Sequence, residues 1–382
     1  MALKISKFYN RPKNYLFKIL YYYYKKGYKT SRKIIVIESD DWGAIRMPSK
    51  KAYNSLLKSG IDVDKSIYNK YDSLESKEDM SFLFELLYKV KDKNGNPAIF
   101  TANSLVANPD FERIKESGFQ KYYYELLPDS LSRRTNNSIN LWFEGMNADV
   151  FHPQFHGREH LNVNRWLKSL QNNSRESKIA FEYEALGITD YATKAGDSCA
   201  ILPALAIDEE NDINNHKAIL QDGYHIFEQI FNYKSESFIA PNYVWQKEHE
   251  KCLSNLGVNY LQGTYVQKEA MKGDKTKIRY HFTGEENQFN QIYLVRNCFF
   301  EPASDPTKDW VSYCLKDIKK AFSFNKPAII CSHRVNYIGV IDERNRDKTL
   351  KAIKELLDNI IALWPDVEFM TSDQLGRLIL QK

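Results

Sequence analysis

The sequence predicts an α/β fold: a (β/α) barrel of about seven strands, partly open, with an antiparallel excursion and a basic N-terminal helical arm. Three observations lead there. Short apolar runs alternate with stretches of 3.6-residue apolar spacing along most of the chain. Polar, chemistry-bearing residues gather where several apolar runs end, as they do at the C-terminal ends of barrel strands. A length of 382 residues with 43% hydrophobic content is enough for one large barrel and its core.

The first 32 residues form a basic, aromatic arm. Ten Lys and Arg side chains and no acid precede Glu38, which leaves the rest of the chain at −5 against a total of +5. The stretch "YLFKILYYYYKKGYK" lacks the unbroken apolar core and small-residue cleavage site of a signal peptide. No stretch reaches the roughly 18 apolar residues of a spanning helix. Such an arm fits a solvated helix packed on the outside of the barrel, or a peripheral contact with an anionic membrane. An acidic body argues against nucleic acid as partner.

Strands are expected at 33–39, 96–103, 149–156, 199–205, 237–242, 258–263, 327–333 and 366–371. Helices are expected at 75–92, 161–172, 210–231, 246–256, 306–323 and 344–363. This alternation requires a parallel sheet with crossover helices and a single domain over 33–382. "KIRYHF" and "NQIYLVRN", separated by "TGEENQF", read as the antiparallel excursion. The five cysteines, Cys199, Cys252, Cys298, Cys314 and Cys331, form no CxxC pair, which fits reduced thiols in the cytoplasm. Cys331, two residues before His333, reads as a small buried core residue.

The strand ends carry the chemistry. The first closes on Asp40 and Asp41; the third carries His152 and His156, with His160 following in "HGREH". Pro241 and Asn242 end the fifth, and Ser332, His333 and Arg334 the seventh; the excursion delivers Arg296, Asn297 and Glu301. Two imidazoles four residues apart can face one metal, and a strand-end aspartate would complete an N,N,O set with open positions. Either aspartate can supply that ligand, leaving its neighbour as a base for water, while His333 can protonate a leaving group.

At these residues the chain resembles the polysaccharide deacetylases, the NodB-homology or family 4 carbohydrate esterases. "ESDDWG" is similar to their T-F-D-D-G motif, "HGREH" to H-[ST]-x-x-H and "CSH" to L-x-H, while "VEFMTSDQLGRLI" looks like their closing strand and helix. The resemblance implies that Asp40 is the catalytic base and His333 the general acid. Asp41, His156 and His160 would hold a divalent ion, zinc by preference. It also implies hydrolysis of an N- or O-acetyl group on a sugar or glycan. Trp42, His152, Pro241, Asn242, Arg296, Asn297, Glu301 and Arg334 are the expected substrate-contacting or supporting residues.

Three departures stand out. The 115 residues from Asp41 to His156 make a longer gap than the family has, which implies an insertion around 104–148 that caps the site or shapes substrate choice. Gly157 occupies the Ser/Thr position of the second motif, and "FIAPNYVW" has Ile239 where the family has an arginine that orients the base. Arg296 and Arg334 are the candidates to replace that arginine. A glycoside hydrolase on a related barrel, with Glu301 as partner to an aspartate, and an inactive glycan-binding barrel are the alternatives. The glycosidase suffers from adjacent aspartates pointing to opposite faces of a strand.

Overall fold

The computed structural model describes residues 25–188, 201–271 and 275–381. Its strands, in chain order, are β1 (Lys33–Trp42), β2 (Phe100–Ser104), β3 (Ala107–Pro109), β4 (Tyr124–Leu126), β5 (Phe151–Phe155), β6 (Ser237–Ile239), β7 (Tyr260–Gly263), β8 (Val266–Met271), β9 (Lys275–Tyr280), β10 (Ile292–Val295), β11 (Cys298–Phe299), β12 (Ala328–His333) and β13 (Val367–Met370). Nine of them make one sheet, ordered β10-β7-β6-β5-β2-β1-β12-β11, with β13 also on β1, and every pairing is parallel. Ile35 and Val36 pair with both β12 and β13, whereas Ile37 to Ser39 pair with β12 and β2. β13 and β2 therefore share one edge of β1, end to end.

Only Arg296 and Asn297 separate β10 from β11, the two terminal strands of this order. The three backbone steps from Val295 to Cys298 reach no more than about 11 Å, so the sheet must curl until its ends nearly meet. The Arg296 N–H donates to Gly263 O on β7, and the Asn297 N–H donates to Ile329 O on β12. The link thus stitches the two ends of the sheet together.

β1 is buried along nearly its whole length, as expected of a central parallel strand covered on both faces. Helices at the expected places cover the sheet: Lys77–Lys89, Val163–Gln171, Asp212–Phe231, Lys247–Leu256, Trp310–Ser323 and Glu343–Leu363. The first begins with a capping box, the Ser76 hydroxyl accepting from Asp79 N and Asp79 answering to Ser76 N.

Two expectations change. The excursion is a hairpin of β8 with β9, while "IYLV" is β10, a fully buried barrel strand beside β7. Four consecutive buried apolar residues suit a strand covered on both faces better than a hairpin arm. Residues 201–205 form turns, not a strand; Cys199 and Ala200 lie outside the described residues. The segment 104–148 folds as a β3–β4 ribbon with helices Phe111–Glu116, Leu127–Arg134 and Ile139–Asn147, the last sending Trp142 into the main core.

Residues 1–24 of the arm lie outside the described residues. Its last turn docks on the barrel: Tyr28 N donates to Thr283 O (2.7 Å), Thr30 N to Asn325 O (2.8 Å), and Arg32 pairs with Glu368. No helix among the described residues is long and apolar enough to cross a membrane.

Candidate active site

The register of the central strands sets the site. Asp40 on β1 stands opposite His333 on β12, both at the ends of their strands. Between Ser39 and Trp42 the β1–β2 register shifts, and Asp41 adopts a left-handed φ of 74°. Strained residues and bulges of this kind recur at functional sites. Here the bulge turns Asp41 toward the same pocket as Asp40, which overturns the expectation that the two carboxylates face opposite sides.

Asp41, His156 and His160 are buried with their ligand atoms clustered. The two imidazoles come from the loop after β5, which is not helical. The loop is pinned by the carbonyl of Arg158, which accepts from Val106 and Ala107 N–H groups. Gly157 has φ +116°, while a Cβ there would meet only ordinary contacts. Backbone conformation rather than space therefore explains why neither Ser nor Thr stands at this position.

The donor set fits a divalent ion. His156 Nδ1 is 2.8 Å from Ile239 O and donates to it, so in the neutral ring Nε2 is a bare lone pair. That lone pair lies 3.2 Å from Asp41 Oδ1, and His160 Nε2 lies 3.4 Å from the same oxygen. Lone pairs at such distances repel unless a cation or a proton lies between them. Zinc bonds of about 2.0–2.1 Å in a tetrahedron place ligand atoms about 3.3 Å apart. Burial, with Arg46 nearby, holds His160 down to about 3, so its ring is neutral and able to coordinate. Burial alone would raise Asp41; positive charge beside it, from the His160 and His156 rings when either is protonated and from Arg46 throughout, holds it well below the usual carboxylate range.

Asp40 is clamped differently. Arg296 reaches in from the seam and grips it in bidentate fashion, Nη2 to Oδ1 at 2.6 Å and Nη1 to Oδ2 at 2.7 Å. Its Nε donates to Glu38 Oε2 at 2.5 Å, one layer deeper on the same face of β1. Asn103, at the end of β2, adds a hydrogen bond to Asp40 Oδ1 at 2.8 Å. Burial pushes Asp40 up, but the Arg296 pair outweighs it and brings the carboxyl down to about 2. Across from it, His333 Nδ1 lies 2.6 Å from Glu301 Oε1, and Nε2 lies 3.6 Å from Asp40 Oδ2. Burial would lower His333, but Glu301 foremost, then Asp40 and Asp41, raise it to about 9. The site thus holds an ionised carboxylate beside a protonated imidazole, an arrangement suited to base and acid work.

The structure also shows which expected residues lie elsewhere. Arg334 is fully buried but binds Asp72, Glu75 and Ala44 O, bracing the chain after β1 rather than touching Asp40. Trp42 packs in the core against Trp142 and Phe151, its Nε1 donating to Ser39. His152 lies toward the start of β5, beside Asp373 and stacked on Tyr233; a four-residue strand separation carries it far from His156. The Asn297 side chain serves the sheet edge, donating to Pro327 O and accepting from Ile329 N. Pro241 and Asn242 form the turn after β6 that brings the Tyr243 hydroxyl within 3.0 Å of Arg296 Nη1.

The ring packed against His333 comes from Tyr68, edge-on at 5.6 Å, on the short helix Ile67–Tyr71. Within the 104–148 segment, Asn108 braces the loop after Asp41 through contacts to Ile45 N and Gly43 O. Glu38, Arg46, Tyr68 and Asn103 join the site unannounced. Asn103 ends an expected strand, so the strand-end rule applied to β2 would have found it. Glu38 precedes Asp40 by two residues and therefore shares its face.

No family model matches the chain, and no curated protein matches it in sequence. Among solved structures it is similar to a protein designated a polysaccharide deacetylase from Mycobacterium smegmatis, at 10% identity and TM-score 0.43, covering 94% of this chain and 93% of that one. It is also similar to a 4-alpha-glucanotransferase from Thermococcus litoralis, at 9% identity and TM-score 0.45, covering 92% of this chain but 40% of that one. A third is a CE4 family pseudoenzyme from Bacillus anthracis, at 10% identity and TM-score 0.34, covering 86% of this chain and 62% of that one. Likenesses this distant, spread over proteins of different activity, carry no argument about chemistry. What the site can do follows from its own residues.

Proposed function

We propose that the chain is a metal-dependent hydrolase that removes an acetyl group from an acetylated sugar or glycan. One observation carries the proposal: Asp41, His156 and His160 converge at ligand spacing beside an ionised Asp40 and a protonated His333. Asp41, His156 and His160 would hold the ion, and two nitrogens with one carboxylate favour zinc. A bound divalent ion supplies Lewis acidity toward the acyl oxygen.

The remaining work falls to side chains. Asp40, kept anionic and aimed by Arg296 and Asn103, takes the proton of the attacking water. His333, charged through Glu301, gives its proton to the departing nitrogen or oxygen of the sugar. Burial of the ligands and the Tyr68 ring limits water around the reacting group. The sugar is supported by the likeness of the ordered motif set, with Arg296 filling the place that Ile239 leaves vacant. The four described cysteines, buried and unpaired, support a reducing compartment.

Metal content and acetate release from acetylated amino-sugar oligomers test this directly, on wild type and Asp40→Asn. The expected result is stoichiometric metal in both proteins and activity lower by about 10²–10⁴-fold in the variant. Absence of metal, or full activity in Asp40→Asn, overturns the proposal. Chelator-insensitive cleavage of glycosidic bonds would establish a glycosidase instead.

A further inference from the structure

Beside the proposed acid lies a second set of ligand atoms. Glu301, Cys331 and His333 bring one oxygen, one sulfur and one nitrogen into a cluster on the opposite side of Asp40 from the His156–His160 loop. Cys331 Sγ is 3.7 Å from Glu301 Oε1, and His333 Nδ1 is 2.6 Å from that same oxygen. Cys331 is buried, while the His333 and Glu301 side chains keep 18% and 14% of their surface open. The cluster is therefore walled by protein behind the sulfur and reachable from the front.

The sulfur is not in an apolar pocket. Arg296 Nη1 donates to it at 3.4 Å, and the Tyr243 hydroxyl lies 3.7 Å away. Burial still raises the thiol to about 12, with the Arg296 guanidinium opposing and Glu301 and Asp40 adding to the rise, so a bound ion has to displace the thiol proton. That guanidinium is already balanced by Glu38 and Asp40, so it leaves little net positive charge to repel an incoming cation. Asn336 Nδ2, 2.7 Å from Glu301 Oε2, holds the carboxylate with its other oxygen toward the cluster.

We infer that Glu301, Cys331 and His333 form a second, inhibitory zinc site, in which the ion occupies the nitrogen and carboxylate that otherwise make up the acid. The inhibitory part rests on the hydrolase reading; the binding part does not. One sulfur, one nitrogen and one oxygen with a position open to water is a zinc donor set. Binding releases two protons to solvent, one from the Cys331 thiol and one from His333 Nδ1, and forms three bonds to the ion. The Nδ1–Oε1 pair opens from 2.6 Å to about 3.3 Å to admit it. His333 then keeps only its Nε2 proton, on a neutral ring that is a far weaker acid toward a leaving group than the imidazolium.

The test titrates the purified full chain with Zn2+, then with Co2+ in its place, reading bound metal after dialysis and near-ultraviolet absorbance. Two equivalents are expected. A sulfur-to-cobalt charge-transfer band should grow only with the second, because Asp41, His156 and His160 contain no sulfur. Cys331→Ser should bind one equivalent without the band, and His156→Ala should lose the sulfur-free equivalent and keep the band. Binding of a single equivalent, a second equivalent without the band, or a Cys331→Ser protein that still binds two overturns the site. Acetate release reads the inhibition separately: wild type should lose about 10²-fold or more as the second equivalent fills, and Cys331→Ser should not. A filled second site without that loss overturns the inhibitory role. A chain that binds both ions yet never releases acetate keeps the site and refutes the hydrolase.

Discussion

Replacing Glu301 by Gln keeps the side chain's shape and removes the charge that does most to hold a proton on His333. The imidazole stands at about 9 against an ordinary 6.5, raised first by Glu301 and then by Asp40 and Asp41. That gap corresponds to about 3 kcal/mol of preference for the charged ring. At pH 7.5 a group titrating at 9 is about 97% protonated, and one at 6.5 about 9%, so complete release would cost about tenfold in the acid form. Asp40 and Asp41 remain, so Glu301→Gln should place His333 between these values. The direction of linkage follows. A raised histidine contributes stability that is full below pH 6.5 and is lost as pH rises through about 9, and the variant gives up part of it. The assay is the His333 imidazole Cε1–H resonance against pH in metal-free protein, alongside acetate release from pH 5 to 10. The alkaline limb should move down by one to two pH units, with near wild-type rates at pH 5–6. An unmoved resonance and limb in Glu301→Gln would refute the assignment of His333 as an acid charged by Glu301.

Arg296→Met leaves Glu38 and Asp40 buried without their cation and should cost about 3–5 kcal/mol in urea unfolding. Because removing the cation raises Asp40 from its value of about 2, that deficit should narrow as the solution is acidified, and a pH-independent deficit would contradict the pairing. Arg334→Met should destabilise by a similar amount through Asp72 and Glu75, yet leave the acid limb of the pH–rate profile in place. Gly157→Ser must hold φ near +116° and should lose about 1–3 kcal/mol together with metal affinity, read by unfolding and by metal retention on dialysis.

The central strands were legible because strands covered on both faces are continuous apolar runs: "KIIVI" and "AIIC" announce themselves without reference to any partner. The same signal misled at 201–205, where Ile201 and Leu205 are buried by packing rather than by pairing. "IYLV" reads as a hairpin arm because its true neighbour, β7, lies about thirty residues earlier and pairs in parallel, which leaves no local trace. Near the site, spacing was informative over short range. The aspartate pair and the His-x-x-x-His loop are local patterns, and the structure brings those residues together. The destination of Arg296 is not local: 256 residues separate it from Asp40, and only the curl of the sheet makes them neighbours. Arg334 had an equally suggestive strand-end position and went elsewhere, so position alone could not choose between the two. The bulge at Asp41 was hidden for a different reason, since aspartate enters the left-handed region often enough that its identity gives no warning.

The dipeptide that joins β10 to β11 is both a fastener and an electrode. A hoop held by two residues cannot be loosened without withdrawing the guanidinium that sets the charge of Asp40. Opening the chain between Arg296 and Asn297, as in a circular permutant, would therefore disconnect mechanical closure from electrostatics at a single peptide bond. In this barrel an intact hoop and an ionised Asp40 are one condition, and partial unfolding at the seam would release that carboxylate from its guanidinium before the core is exposed.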